Sequence, residues 1–307
     1  MAKWLVRLTL GAVASLAALV GLSIGRYLLE NRTNGSLVSS GARRKYLLHV
    51  PKRYDPSTPT PLVIALHGFV QWPANLMQMS RWNDLADEQG FIVVYPAGTG
   101  FPIRWQAARE SRGGADPSGD VRFISDLIDS LEREYNVDLA RVYANGLSNG
   151  GGMTFVLSCE LSERIAAVGM VAGAYLYPSE MCNPARAVPA VVLHGTDDPI
   201  VPYHGRSEGR GGRPFPSVPE WVEALARRNG CLPLPEQLPT RGAVSGVKFA
   251  GGETDVVFYT VAGGGHTWPG ARGGMEWLVG QTTSDLDATR VIWDFFVQHP
   301  LPARRAM

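Results

Sequence analysis

Continuous apolar runs such as PLVIALH (residues 61–67), GFIVVYP (90–96) and AVVLH (190–194) recur along the chain, each too short for a helix. Runs of this kind read as strands covered on both faces, and RKYLLHV, RVYAN, AAVGMVA and VVFYTVA extend the set. Longer stretches with helical periodicity lie between them. Residues 118–138 place Val121, Ile124, Leu127, Ile128, Leu131 and Tyr135 on one stripe. Residues 217–230 open with a capping box of Ser217 and Glu220 and close on Gly230, and residues 284–300 stop before Pro300. Alternating β and α elements predict an α/β fold, a mostly parallel sheet with helices on both faces. One domain is expected over residues 43–302. The loops after the strands are long and rich in Gly, Arg and Trp, but none has the length of a separate lid domain.

The N-terminus is a separate object. Lys3 and Arg7 precede residues 8–25, a stretch without charge, which fits a cleaved signal peptide (1–25) or a retained membrane anchor. Either reading places the rest of the chain outside the cytoplasm, secreted or anchored, with residues 26–42 as a linker. A net charge of +1 argues against a nucleic-acid partner. The basic cluster Arg43, Arg44 and Lys45 reads as a solvated strand edge. Cys159, Cys182 and Cys231 allow at most one internal disulfide and one leftover thiol, the pairing being open. Their spacing matches no zinc motif, and no metal or cofactor is expected.

GLSNG, Gly146 to Gly150, fits G-x-S-x-G and sits between a strand-like run and a helical one. That context lifts Ser148 above a sheet, where a base must take its proton and an acid must orient the base. In such an arrangement the order is Ser, Asp or Glu, His. AVVLHGTDDP supplies Asp197 and Asp198 just past a later strand, and among six histidines His266 alone follows both the acid and a further strand at a suitable distance. The oxyanion needs two backbone donors, expected at Asn149, after the serine, and at Phe69 in LHGF. His67 and His194 end strands as HG dipeptides and read as structural hydrogen bonders.

The runs PLVIALHGFVQ, WNDLADEQGFIVVYP, YNVDLARVYANGLSNGGGM, SCELSERIAAV, VPAVVLHGTDDPIVPY, GGGHTWPG and DATRVIWDFF together resemble the polyhydroxybutyrate depolymerase and feruloyl esterase group of α/β-hydrolases, over nearly all of residues 43–300. The resemblance implies a secreted serine esterase using Ser148, His266 and an acid. It places that acid at Asp198, since the group's H-G-T-x-D-x-x-V-P pattern falls on His194 to Pro202. Phe69 stands where the group usually has Cys, a change expected to alter pocket shape and not chemistry. The expected substrates are soluble hydroxyalkanoate oligomers or feruloyl and acetyl esters on polysaccharide. An acyltransferase with the same triad, or a surface-anchored binding module with a relict site, are the alternatives. Trp105 and Trp268 are expected to bind substrate, with Trp72 nearby; Trp72 and Trp268 read equally well as loop anchors.

Overall fold

The computed structural model describes residue 25 and residues 32–108, 116–207, 214–272 and 276–302. The expected signal or anchor segment (8–25) lies outside the described residues except for Gly25. Among the described residues no helix is long and apolar enough to cross a membrane.

Ten strands form one sheet: β1 (Gly35–Ser39), β2 (Ala42–His49), β3 (Thr60–Leu66), β4 (Ile92–Pro96), β5 (Val137–Leu147), β6 (Ala167–Val171), β7 (Ala190–Gly195), β8 (Glu236–Arg241), β9 (Val244–Phe249) and β10 (Val256–Val261). Their spatial order is β1-β2-β4-β3-β5-β6-β7-β10-β9-β8. The six strands from β4 to β10 in that order run parallel, and antiparallel pairs close both edges. The parallel strands are the continuous apolar runs, because side chains alternate between two faces and both are covered. In β3, Leu62, Ile64 and Leu66 enter one core while Val63 and Ala65 enter the other.

The described helices are α1 (Pro73–Ser80), α2 (Trp82–Gln89), α3 (Ser118–Glu134), α4 (Asn149–Glu160), α5 (Val218–Arg228), α6 (Glu276–Val279) and α7 (Ala288–Phe296). The first core takes Phe123, Ile124 and Leu127 from α3, Met153 and Val156 from α4, and Trp221 and Leu225 from α5. The second takes Leu76 from α1, Trp82 and Leu85 from α2, and Ile292 and Phe296 from α7. Helices therefore lie on both faces, as the alternating pattern requires.

The structure corrects several expectations. Residues 35–39, expected as linker, form β1 and pair with β2 from Gly35↔Tyr46 to Ser39↔Ala42. Arg44 is no solvated edge residue: it is buried, its guanidinium 2.7 Å from the buried Asp120 carboxylate. Ser217 flanks α5 without a side-chain cap, so the capping box does not close. The β8–β9 hairpin was not foreseen. Cys159, at the end of α4, is bonded to Cys182, and Cys231 is the buried thiol left over, its pKa raised by burial.

Candidate active site

The strand β5 ends at Leu147 and α4 begins at Asn149, leaving Ser148 alone in the turn with φ 57° and ψ −118°. That backbone is strained for any residue but glycine, at a cost of about 1–3 kcal/mol, and it aims one side chain off the end of the sheet. The surrounding packing enforces it. A Cβ on Gly146 would overlap the backbone of Gly150, and one on Gly150 would overlap the Leu66 carbonyl of β3. Both glycines are there because backbone passes where a methyl group would sit.

His266 follows β10, and its Nδ1 lies 2.7 Å from Asp198 Oδ2. Its backbone N–H donates to the Val279 carbonyl of α6 at 2.6 Å, which fixes the loop. Asp198 is buried; its Oδ1 accepts from the N–H groups of Ile200 and Val201, each at 2.8 Å. Burial alone would raise this carboxyl, but hydrogen bonds from His194 and His266 outweigh it and hold the group well below the usual carboxylate range. It is thus ionised and able to hold an imidazole by its Nδ1–H. Asp197 is exposed, and among the described contacts its carboxylate accepts only from Thr196 Oγ1, at 3.0 Å. Among the described residues no hydrogen bond joins the Ser148 hydroxyl to His266, a looseness common before substrate is bound.

The loop after β3 is held so that one donor stays unused. Gly68 N–H donates to Gln71 Oε1 at 3.0 Å, Val70 N–H to the Ile103 carbonyl at 3.0 Å, and Gln71 N–H to the Gly68 carbonyl at 3.2 Å. No described acceptor takes the N–H of Phe69, nor that of Asn149 at the first position of α4. A Cβ on Gly68 would lie 3.5 Å from Ser148 Cβ, so this loop passes directly beside the serine. His67 is buried and bridges this loop to the next: Gly98 N–H donates to its Nε2 at 2.9 Å, so Nδ1 carries the hydrogen and donates to the Gly68 carbonyl at 2.8 Å. Burial lowers its pKa to about 4. His67 and His194 are both hydrogen-bonded within the structure, as expected of them.

A cavity of about 970 Å³ opens over Ser148 and Asn149, walled by Phe69, Trp105, Leu176 and Phe215. One side of it comes from the loop of residues 97–108, which contributes Pro102 and Arg104 to Ala108 and which side chains fasten. The buried pair Arg44–Asp120 holds both ends, Arg44 Nη2 donating to the Ala97 carbonyl at 3.2 Å and Gln106 N–H to Asp120 Oδ2 at 2.8 Å. Asn149 grips it at Trp105, accepting from the Trp105 N–H at 2.7 Å and donating to the Trp105 carbonyl at 3.1 Å. The sequence offered no signal for this role of Asn149, which lies 44 residues from its partner.

The family model for esterase PHB depolymerase matches residues 45–201, half of the chain, a span that holds Ser148, Asp198 and the unused donors. The chain belongs to this family. This PHB depolymerase-family esterase is 30% identical over 291 residues to a protein of Nocardia uniformis subsp. tsuyamanensis named "Putative esterase NocK", covering 86% of this chain and 82% of that protein. It is 28% identical over 271 residues to feruloyl esterase C of Emericella nidulans, covering 86% and 87%. It matches the bifunctional acetylxylan esterase/xylanase XynS20E of Neocallimastix patriciarum at 32% over 163 residues, spanning 22% of that protein's length. The fold is similar to that of the acetyl xylan esterase from Aspergillus awamori, with a TM-score of 0.57 at 17% identity over 73% of this chain and 89% of that one. The family esterase is a carboxylic ester hydrolase of α/β-hydrolase fold.

Its tryptophans are not all placed as substrate-binding residues would be. Trp268 is no substrate residue: it is 1% exposed, packs in the core shared with α7, and donates from Nε1 to Thr289 Oγ1 at 3.0 Å. Its bulk is used to seat α7, which an aromatic beside His266 in sequence does not reveal. Trp105 does line the cavity, but as a buried wall whose Nε1 donates to the His67 carbonyl at 3.0 Å. Trp72 is half-buried at the start of α1. Phe69 is 52% exposed and lines the cavity.

Proposed function

We propose that the chain hydrolyses esters through an acyl-enzyme on Ser148. His266 Nε2 takes the Ser148 proton as Oγ attacks the ester carbonyl, and the tetrahedral oxyanion is held by the N–H groups of Phe69 and Asn149. His266 then gives the proton to the departing alcohol oxygen. Water repeats the sequence, releasing the acid and restoring Ser148. Asp198 keeps the imidazole in the Nδ1–H tautomer and stabilises the imidazolium. The observation that carries the reading is the Asp198–His266 contact of 2.7 Å, together with a serine in a strained turn that lines one cavity with Ile200 and Val201 of the acid loop. The turn is also the N-terminus of α4, whose dipole favours the developing negative charge.

Cavity and relatives together support a reading of the substrate class. A space of about 970 Å³ with aromatic and aliphatic walls and a polar share that includes Arg104 and Gln106 admits an aryl acyl group or a short oligomer. The relatives are named feruloyl and acetylxylan esterases and the family is that of PHB depolymerase, so feruloyl and acetyl esters on polysaccharide or soluble hydroxyalkanoate oligomers are the substrates proposed. Residues 1–25 are proposed to export the chain.

The test is Ser148→Ala, which fits the same turn without the hydroxyl. Turnover of feruloyl, acetyl and 3-hydroxybutyryl esters is expected to fall on the order of 10³-fold or more with unchanged folding. A folded variant that keeps most of its activity would overturn the nucleophile assignment.

A further inference from the structure

A second imidazole faces the Asp198 carboxylate. His194 is the penultimate residue of β7, buried, with its side chain fully removed from solvent. Its Nε2 lies 2.9 Å from the Val201 carbonyl and 3.3 Å from Asp198 Oδ2. Both neighbours are acceptors, so Nε2 carries a hydrogen and shares it between them, the longer contact going to the carboxylate. Nδ1 is buried without any hydrogen-bond partner among the described residues.

This arrangement is hard to explain as scaffolding alone. A histidine kept to tie two segments together would ordinarily satisfy both ring nitrogens, as His67 does. His194 satisfies one, and everything that nitrogen touches belongs to the acid loop. Val201 accepts from His194 through its carbonyl and donates to Asp198 Oδ1 through its N–H. The loop therefore closes on the carboxylate through this ring. The other titratable groups nearby are Tyr203, whose ring centroid is 6.2 Å away, and His266 across the carboxylate.

We propose that His194 is a positioning residue for the reaction, its Nε2–H acting as a second imidazole donor that fixes Asp198 Oδ2 and takes up part of its negative charge. The proposal rests on the triad reading above. Charge drawn toward His194 is charge not available to stabilise the His266 imidazolium. The donor therefore holds the oxygen where the His266 Nδ1–H points, and without it the carboxylate's whole charge would fall on that one bond.

The test compares three variants by the pH profile of kcat/KM on a soluble chromogenic ester. His194→Phe fills the space without a donor. His194→Asn keeps polarity, but its amide reaches the position of Nδ1 and not that of Nε2. His194→Gln can place an N–H where Nε2 was. The acid limb is expected to move to higher pH by on the order of one unit in the Phe and Asn variants, with kcat lowered roughly tenfold. The Gln variant should restore most of both. A parallel readout is the proton resonance of His266 Nδ1–H, which should move downfield in the Phe and Asn variants as the carboxylate concentrates its charge on that one bond. Folded Phe or Asn variants with unmoved acid limb and resonance, whatever their melting temperature, would overturn the proposal and leave a structural role. Asp198→Asn run alongside separates the two levels. If it retains activity the triad reading itself falls; if it is crippled while the His194 variants are unshifted, only this inference falls.

Discussion

Asp197 and Asp198 are chemically identical neighbours in opposite surroundings. One faces water; the other is enclosed by two N–H groups and two imidazoles. Removing the charge at Asp198 leaves His266 free to take the wrong tautomer, so Asp198→Asn should lower kcat by about 10⁴, the size known for the same change in the serine-protease triad. Asp197→Asn should change it little, because a solvated charge acts through a screened field. Steady-state kinetics of the two proteins side by side checks this, and a crippled Asp197 variant would reverse the assignment. At this scale the sequence was readable wherever a position is set by order and local spacing: Ser148 in its turn, His266 after the last parallel strand. Asp198 needed the family pattern to separate it from its neighbour. What could not be read were residues whose partner is distant in the chain, such as Asn149 on Trp105, His194 on the acid loop, and Trp268 against α7.

Among the elements, the apolar parallel strands were legible because burial on both faces leaves a continuous run. The edge strands were not. β1 alternates exposed and partly covered residues, and β8 is exposed along nearly its whole length, so neither stands out from a polar loop. Arg44 was misread for a related reason, since a guanidinium in a basic cluster looks solvated until its partner on α3 is known. That pair carries a prediction. Its side chains are 8% and 3% exposed, and Asp120→Asn would leave the guanidinium buried without a counter-charge. Breaking such a pair costs about 3–5 kcal/mol, which calorimetry should show as a lowered melting temperature. Because the same carboxylate holds Gln106 N–H at the end of the cavity wall, KM should rise more than kcat falls. An unchanged KM would mean that the wall keeps its shape without the pair.

For the molecule as a whole, the folded state is sensitive to acid through His67. In the unfolded chain this ring takes a proton near its ordinary value of 6.5, whereas in the folded protein burial delays protonation to about 4. Between those values the unfolded state binds more protons, so stability is complete above pH 6.5 and declines as pH falls toward 4. The gap corresponds to roughly 3 kcal/mol. Chemical denaturation at pH 7 and pH 4.5 should show the decline, and His67→Asn, which cannot titrate, should be less stable at pH 7 but flatter across the same range.

The cavity wall has one more consequence, for how enzymes on this plan diverge. Residues 97–108 are fastened by Arg44, Asp120, Asn149 and His67, whereas Ser148, Asp198 and His266 stand at strand ends braced by the sheet. Asn149, His67 and Val70 carry described bonds between the loop and its surroundings at the site. A lineage can therefore rewrite the loop between its anchors, exchanging one diet of esters for another, without disturbing the three residues proposed to cut them. Inheritance of the reaction and inheritance of the appetite are separately encoded.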